Sequence, residues 1–229
     1  MKDWQGKTYW LVGASDGLGA ALAHQLSRTG VEVILSARSE DKLTELAQAL
    51  PGRARVRVLD VTDDADVAQA AKDVGPIDGL VYLAGAYWPF GAQEWQAEHG
   101  VTMADVNFTG LMRVLGQVVP EMVARDHGHI VITSSLTAYR GLPGSIGYTA
   151  SKAATGVQGQ VINPGFIKTQ LTDKNDFKMP FLMEPEDAAR RVYEHMNGDS
   201  FKLDFPYGFS LLFRLGRFLP DWLYYRFFS

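Results

Sequence analysis

Short apolar runs of four or five residues alternate with longer segments of helical periodicity along most of the chain, and this alternation leaves few folds open. Residues 8–12 form the first run. It stops at Gly13-Ala14-Ser15-Asp16-Gly17-Leu18-Gly19, after which Ala20, Ala21, Leu22, Ala23 and Leu26 read as a packed helix. Residues 31–35 form the second run, followed by Ser39 as N-cap of a helix carrying Leu43, Leu46, Ala47 and Leu50. Residues 55–59 alternate into Asp60-Val61-Thr62-Asp63, a strand end and a helix start. Residues 80–83 close on Ala84-Gly85, a long helical pattern covers 103–125, and 130–133 and 161–163 complete six strands. Strands alternating with helices predict an α/β fold, a doubly wound and mostly parallel sheet with right-handed crossovers. No linker or repeat divides the chain, so 1–204 reads as one domain and 205–229 as a segment of the same domain. Ligands of such sheets bind beyond the carboxyl ends of the strands.

Composition narrows the partners. The 22 basic and 26 acidic residues give a net charge of -4, without the excess of positive charge that a phosphate backbone attracts, so no nucleic-acid partner is expected. The chain has no cysteine, hence no thiolate metal site; His127 and His129 have no third ligand nearby in sequence, and no metal is expected. The N-terminal residues lack a charged stretch followed by a long apolar run, which favours a cytoplasmic protein.

The glycine cluster follows a strand and opens a helix, where backbone N–H groups and the helix dipole can receive a pyrophosphate. A glycine turn is also an ordinary way to join a strand to a helix, so both readings stand on this motif alone. Tyr148 and Lys152 are four residues apart, which on a helix places them on one face. With nine tyrosines and nine lysines, such a pair also arises by composition, as a surface contact. What distinguishes this one is its place after the fifth strand, whose end carries Ser134 and Ser135.

Taken together, Gly13-x3-Gly17-x-Gly19, Asp60-Val61, Ala84-Gly85, Asn107, Ser135 thirteen residues before Tyr148, Tyr148-x3-Lys152, and Asn163-Pro164-Gly165 with Thr169 resemble the short-chain dehydrogenase/reductase family, in the family's order and over nearly the whole chain. The resemblance implies a Rossmann-type sheet and hydride transfer between NAD(P) and a carbonyl or alcohol carbon. It implies catalytic roles for Ser135, Tyr148, Lys152 and Asn107, the last as holder of a water leading protons to the lysine. For cofactor binding it implies Gly13, Ser15, Gly17, Leu18, Gly19, Arg38, Ser39, Asp60, Val61, Ala84, Gly85, Tyr148, Lys152, Pro164, Gly165, Ile167 and Thr169. A free phenol, with a pKa near 10, is about three units too weak as a base at neutral pH, so the lysine ammonium is expected to lower it. Ser135 would donate to the substrate oxygen as negative charge develops there.

Cofactor choice follows from the residues after the second strand. An acid there would bind the ribose 2'-hydroxyl of NAD, whereas Arg38 can pair with a 2'-phosphate, with Ser39 a second donor; NADP(H) is expected. Asp16 argues the other way, since NADP-dependent relatives often carry a basic residue at that glycine-loop position.

The chain departs from the family pattern at three places. Val12 replaces the usual threonine and Leu83 the usual asparagine, both structural hydrogen bonders, which should loosen the packing of neighbouring strands. Only ten residues separate Lys152 from Asn163, where the family has a long helix; about twenty residues are missing, and one crossover helix is expected to be short. The 24 residues from 136 to 159 still satisfy a parallel crossover of a dozen or more. Relatives use this helix for dimer contact, so any oligomer would need another surface. A rival reading is a dinucleotide-binding remnant whose shortened helix no longer aims Tyr148.

Residues 171–183 read as a substrate lid, made apolar by Phe177, Met179, Phe181, Leu182 and Met183, and the expected partner is an apolar carbonyl or alcohol. Glu184-Pro185-Glu186-Asp187 opens a helix. In the tail, one continuous helical register puts Leu211, Leu215, Phe218 and Trp222 on one face, and Arg214, Arg217 and Asp221 on another. The tail is too charged to span a bilayer; packing on the domain, covering the substrate entrance and peripheral contact with a membrane through 205–229 are three readings of it.

Overall fold

Thr8–Val12 (β1) is buried on both faces, because Tyr9 and Leu11 point into one hydrophobic layer and Trp10 and Val12 into the other. A strand covered on both sides needs apolar residues without interruption, which is why the run reads as continuous rather than alternating. Six further strands join it: Glu32–Ser36 (β2), Ala54–Val56 (β3), Gly79–Tyr82 (β4), His129–Thr133 (β5), Gln160–Pro164 (β6) and Lys202–Phe205 (β7). The computed structural model describes residues 3–142, 144–154, 160–177 and 179–228, and its seven strands lie in the order β3-β2-β1-β4-β5-β6-β7, all parallel.

Helices Gly17–Ser27 (α1) and Pro185–Met196 (α7) pack together on one face through Leu22, Leu26, Ala188 and Val192, with Glu40–Ala49 (α2) beside them. Asp64–Val74 (α3) and Gly110–Ala124 (α5) cover the other through Val67, Leu111, Val114 and Val118. The strand order reverses beside β1, so the crevice at the ends of β1 and β4 is the topological switch point.

Two expected departures have no visible cost at this seam. Val12 and Leu83 lack the hydrogen-bonding side chains of the family pattern, yet Leu83 N and Ala84 N both donate to Val12 O, at 2.7 and 2.9 Å. Backbone alone holds β1 to the loop after β4, so loosening of these strands is not what the structure shows.

Three sequence expectations are corrected. The regular strand expected at 55–59 covers Ala54–Val56; beyond it Arg57 N and Leu59 N still donate to Leu35 O and Ala37 O, both at 3.0 Å, while the Arg57 side chain pairs with Asp66 and Asp73 on α3. The single helix expected over 103–125 is Ala97–Ala104 (α4), a π-helical turn at Asp105–Thr109, and α5. The extra residue of the π turn rotates Asn107 into the interior and gives Val106 O to the Tyr82 hydroxyl at 2.7 Å. In the tail, the register breaks at residues 217–220 into Tyr207–Gly216 (α8) and Asp221–Phe228 (α9), since Pro220 has no N–H with which to continue a helix. The inward residues are therefore Phe209, Phe213 and Tyr224, whereas Leu215, Phe218 and Trp222 are exposed. Among the described residues no helix is long and apolar enough to cross a membrane.

Candidate active site

Helix Ile146–Ala153 (α6) carries Tyr148 and Lys152 and has only eight residues. A helix this short is marginal by itself, so tertiary bonds must hold it. Ser134, at the end of β5, donates to Lys152 O at 2.9 Å; Lys152 Nζ donates to Thr133 O at 2.9 Å; Asn107 Nδ2 donates to Ser151 Oγ at 2.9 Å, and Ser151 donates to Tyr148 O at 2.8 Å. The surrounding chain thus fixes the helix from both sides. Much of the short connection from Lys152 to Asn163 lies at 155–159, outside the described residues.

Asn107 also donates to Ala86 O and accepts from Ala86 N. Both of its amide protons are used within the protein, so what it does here is tie the loop after β4 to α6. The glycine turn shows the close approach its composition implies. Gly13 has φ +96, a region that L side chains avoid, and a Cβ there would sit 2.4 Å from Ala84 N; a Cβ on Gly19 would sit 2.1 Å from Gly13 O. Asp16 caps α1 by accepting from Gly17 N at 2.7 Å. Ser15 and Leu18 lie in the same turn, and Thr169 packs its methyl group where a Gly17 Cβ would be. At the end of β2, Arg38 and Ser39 are exposed; Arg38 forms no ion pair among the described residues, and Ser39 occupies the N-cap of α2 without a side-chain bond. Asp60 accepts from Thr62 N and Oγ1, and these bonds, with the Arg38 and Arg113 charges, hold its carboxyl below the usual range. Pro164 closes β6, and Val61, Ala84, Gly85, Gly165 and Ile167 lie in the loops beyond the strand ends. The glycine cradle fits the pyrophosphate of a nicotinamide dinucleotide; the Asp16 cap occupies one of the N–H groups it would use.

Beside this turn opens a cleft with about 660 Å³ of atom-free space. Tyr148 and Ser135 stand on its wall with Tyr87, Phe166, Phe177 and Phe213, and none of its described lining residues is charged. Ser135 Oγ accepts from Thr137 N at 3.2 Å and from Thr137 Oγ1 at 3.0 Å, which leaves its own proton for Tyr148 or for a substrate oxygen. Tyr148 meets the ring of Tyr87 edge-on at 5.0 Å, and the Tyr87 hydroxyl donates to Asn175 Oδ1 in the lid segment at 3.0 Å. Of the apolar lid residues expected, Phe177 lines the cleft while itself half exposed, and Phe181 and Leu182 are exposed away from it; Leu171, Thr172 and Asn175 line it too. Phe209 and Phe213 bring the tail into the wall, which is the covering reading of 205–229.

The electrostatics differ from expectation. Desolvation pushes the Tyr148 phenol up to about 12, against the hydrogen bond from Ser135, which lowers it. Lys152, 5.9 Å from the Tyr148 ring centre, is itself pushed down to about 8 by burial. Burial decides the direction, and the phenol keeps its proton at neutral pH. Lys152 also carries a stability signature. Its folded pKa lies below the unfolded value of 10.5, so between pH 8 and 10.5 the unfolded chain holds the extra proton and stability rises with pH. The shift corresponds to about 3 kcal/mol, or about 6–12 °C in Tm for a chain of this size. Lys152→Met should remove that rise; equal pH slopes in the thermal unfolding of the two proteins would contradict it.

Sequence reading missed Ser134, Ser151, Tyr87, Asn175, Phe166, Phe209 and Phe213. Ser134 beside Ser135, and Ser151 one turn after Tyr148, were visible neighbours of the motif; nothing in sequence joins Tyr87 to Asn175 across 88 positions.

The fold is that of the doubly wound parallel-sheet proteins, with a glycine turn and a neutral cleft at its carboxyl edge. The short chain dehydrogenase family model matches residues 7–179, and the chain belongs to that family of oxidoreductases. A relative described as an uncharacterized oxidoreductase of Myxococcus xanthus is 35% identical over 247 aligned positions, covering 98% of this chain and 97% of its own. That alignment is longer than this chain of 229, so the relative has residues with no counterpart here. Among solved structures, a short-chain dehydrogenase from Streptomyces avermitilis superposes with a TM-score of 0.81 at 25% identity, covering 92% of each chain. An alcohol dehydrogenase from the archaeon Thermococcus sibiricus, complexed with 5-hydroxy-NADP, superposes with a TM-score of 0.78 at 25% identity over 87% of this chain and 95% of its own.

Proposed function

We propose that the protein reduces neutral, apolar carbonyl compounds with NADPH, and oxidises the corresponding alcohols with NADP+. The observation that carries this reading is the pair of hydroxyls, Tyr148 and Ser135, together on the wall of an aromatic cleft whose described lining residues are all uncharged, beside the glycine turn. Two O–H donors there converge on the place of one substrate oxygen, where negative charge develops. Tyr148, which burial keeps protonated, passes its proton to that oxygen in reduction and takes it back in oxidation. Lys152 faces the Tyr148 ring and favours the phenolate left behind. Asn107 acts through Ser151 on the aim of α6. Bound against Gly13, Gly17 and Gly19, with its 2'-phosphate on Arg38 and Ser39, the dinucleotide would supply or accept the hydride. The 5-hydroxy-NADP complex of the archaeal relative supports the phosphorylated form.

The test is turnover of a panel of aldehydes and ketones graded in size and charge, followed by loss of reduced-nicotinamide absorbance with NADPH and with NADH. Uncharged aromatic and long-chain carbonyls should be preferred over carboxylate-bearing ones, since no cation among the described lining residues offsets the desolvation of a charge. Absence of turnover across the panel would leave only nucleotide affinity. Phe177 packs edge-on against Phe166 at 5.9 Å and is partly exposed, so Phe177→Ala should cost little stability. It should raise KM for aromatic ketones by about tenfold with kcat little changed, the loss of one aromatic contact. An unchanged KM would remove the lid from the specificity argument.

A further inference from the structure

Among the described residues, helices α8 and α9 hold two sets of large apolar side chains, one turned into the domain and one turned outward. Phe209 and Phe213 face the cleft; Tyr224 is buried, its ring so close to α8 that a Cβ on Gly216 would lie 2.7 Å from it, with the Arg140 guanidinium 4.0 Å from the ring centre. The helix pair is therefore anchored on the domain. Its outward residues are nonetheless apolar and bare: Leu215 is 62% exposed, Phe218 79% and Trp222 71%. Interleaved with them in sequence are Arg214, Arg217 and Arg226 and, within the segment, the one acid Asp221, in a chain whose overall charge is -4; Arg214 also stands 3.9 Å from the Asp204 carboxylate of β7 and remains half exposed. The Arg217 guanidinium stands 5.5 Å from the Phe218 ring centre. The lid reaches this helix too: Phe181, held at φ +58, lies 5.6 Å from Phe209.

Bare aromatics among like charges make a poor contact with a second copy. A two-fold interface lays each patch on itself, which would press Arg214, Arg217 and Arg226 toward the same three arginines. Phosphate-bearing lipid supplies what the face lacks: anions for the arginines and an interfacial layer that accepts Trp and Phe rings. We propose that the outward face of α8, residues 217–220 and α9 docks on an anionic bilayer surface, with Phe218 and Trp222 in the headgroup region and the three arginines on lipid phosphates. The chain lies on the bilayer and does not cross it. Docked in this way, α8 would set the cleft and its lid against the lipid, a direct supply for an apolar substrate.

Cosedimentation of the full chain with vesicles tests this. Vesicles of phosphatidylcholine with about 30% phosphatidylglycerol should carry the protein down, and phosphatidylcholine alone should carry little; about 1 M NaCl, where the Debye length is about 3 Å, should release most of it. The double variant Phe218→Ser, Trp222→Ser should lower the pelleted fraction at least tenfold. The triple variant Arg214→Gln, Arg217→Gln, Arg226→Gln should abolish the preference for phosphatidylglycerol. Unchanged NADPH affinity in both shows that the domain is folded and keeps this test separate from the fate of the reductase reading. The docking proposal is overturned if the protein does not pellet above the vesicle-free control, or if the variants pellet as the parent does. It is equally overturned if sedimentation equilibrium shows a dimer that the double variant dissolves, since a second copy then covers the face.

Discussion

Tyr148→Phe is expected to lower carbonyl turnover by about 10³-fold, inside the range that a positioned acid contributes, with NADPH affinity changed by no more than about threefold. One oxygen atom is removed and little else. The ring keeps its edge-on contact with Tyr87, and the backbone carbonyl of residue 148 still accepts from Ser151. Ser135 keeps both donors from Thr137, so its hydroxyl stays aimed and can still hold a substrate oxygen. What disappears is the proton held on a phenol whose pKa burial raises to about 12. The effect should therefore appear in kcat and kcat/KM together, the pattern of an interaction made in the transition state. Should the variant turn over the same ketones at the parental rate, Tyr148 is a wall residue and the proton comes from elsewhere.

The parts of the fold legible in sequence are those in which local pattern and burial agree. Strands β1 and β2 are covered on both faces, and Tyr9 to Val12 and Val33 to Leu35, apolar without interruption, say so directly. The π turn at 105–109 was not legible, because apolar spacing on either side continues through it. Its cause is tertiary: the bonds of Asn107 to Ala86 and Ser151, and of Tyr82 to Val106. In the tail the misleading signal was also a continuous pattern. Leu211, Leu215, Phe218 and Trp222 fit one helical stripe, while Pro220 marked the break that the stripe concealed. The site divides in the same way. Tyr148 and Lys152 stand out by spacing and take their roles, with Ser135, from the family resemblance, but the direction of the Tyr148 pKa is not legible there, since it depends on how far the cleft wall dehydrates the phenol. Ser134 sat in plain view, and its bond to Lys152 O became visible only when β5 and α6 were brought together.

Arg38→Ala should weaken NADPH by about 10- to 100-fold and NADH by less than about threefold, because charge-assisted bonds to a phosphate are worth about 1.5–3 kcal/mol and each 1.4 kcal/mol is a factor of ten. Several features make Arg38 available for the task. It is exposed beyond the last residue of β2, it holds no ion pair among the described residues, and the neighbouring Ser39 hydroxyl caps nothing. Its charge reaches Asp60, whose carboxyl it helps to keep ionised, so the arginine already lies over the ground between β2 and the loop after β3. The Asp16 carboxylate at Gly17 N works against any dinucleotide at this turn. That repulsion bears on the pyrophosphate, which both cofactors share, and so cancels in the ratio of their affinities. The ratio isolates the 2'-phosphate. Raising salt should shrink it in the parent, as exposed charges are screened, and leave it nearly flat in the variant. Isothermal titration of both proteins with both dinucleotides at two ionic strengths measures all of these quantities. If NADPH and NADH weaken by the same factor, Arg38 is a surface residue of the α2 start, and the preference for the phosphorylated cofactor must be sought at another side chain.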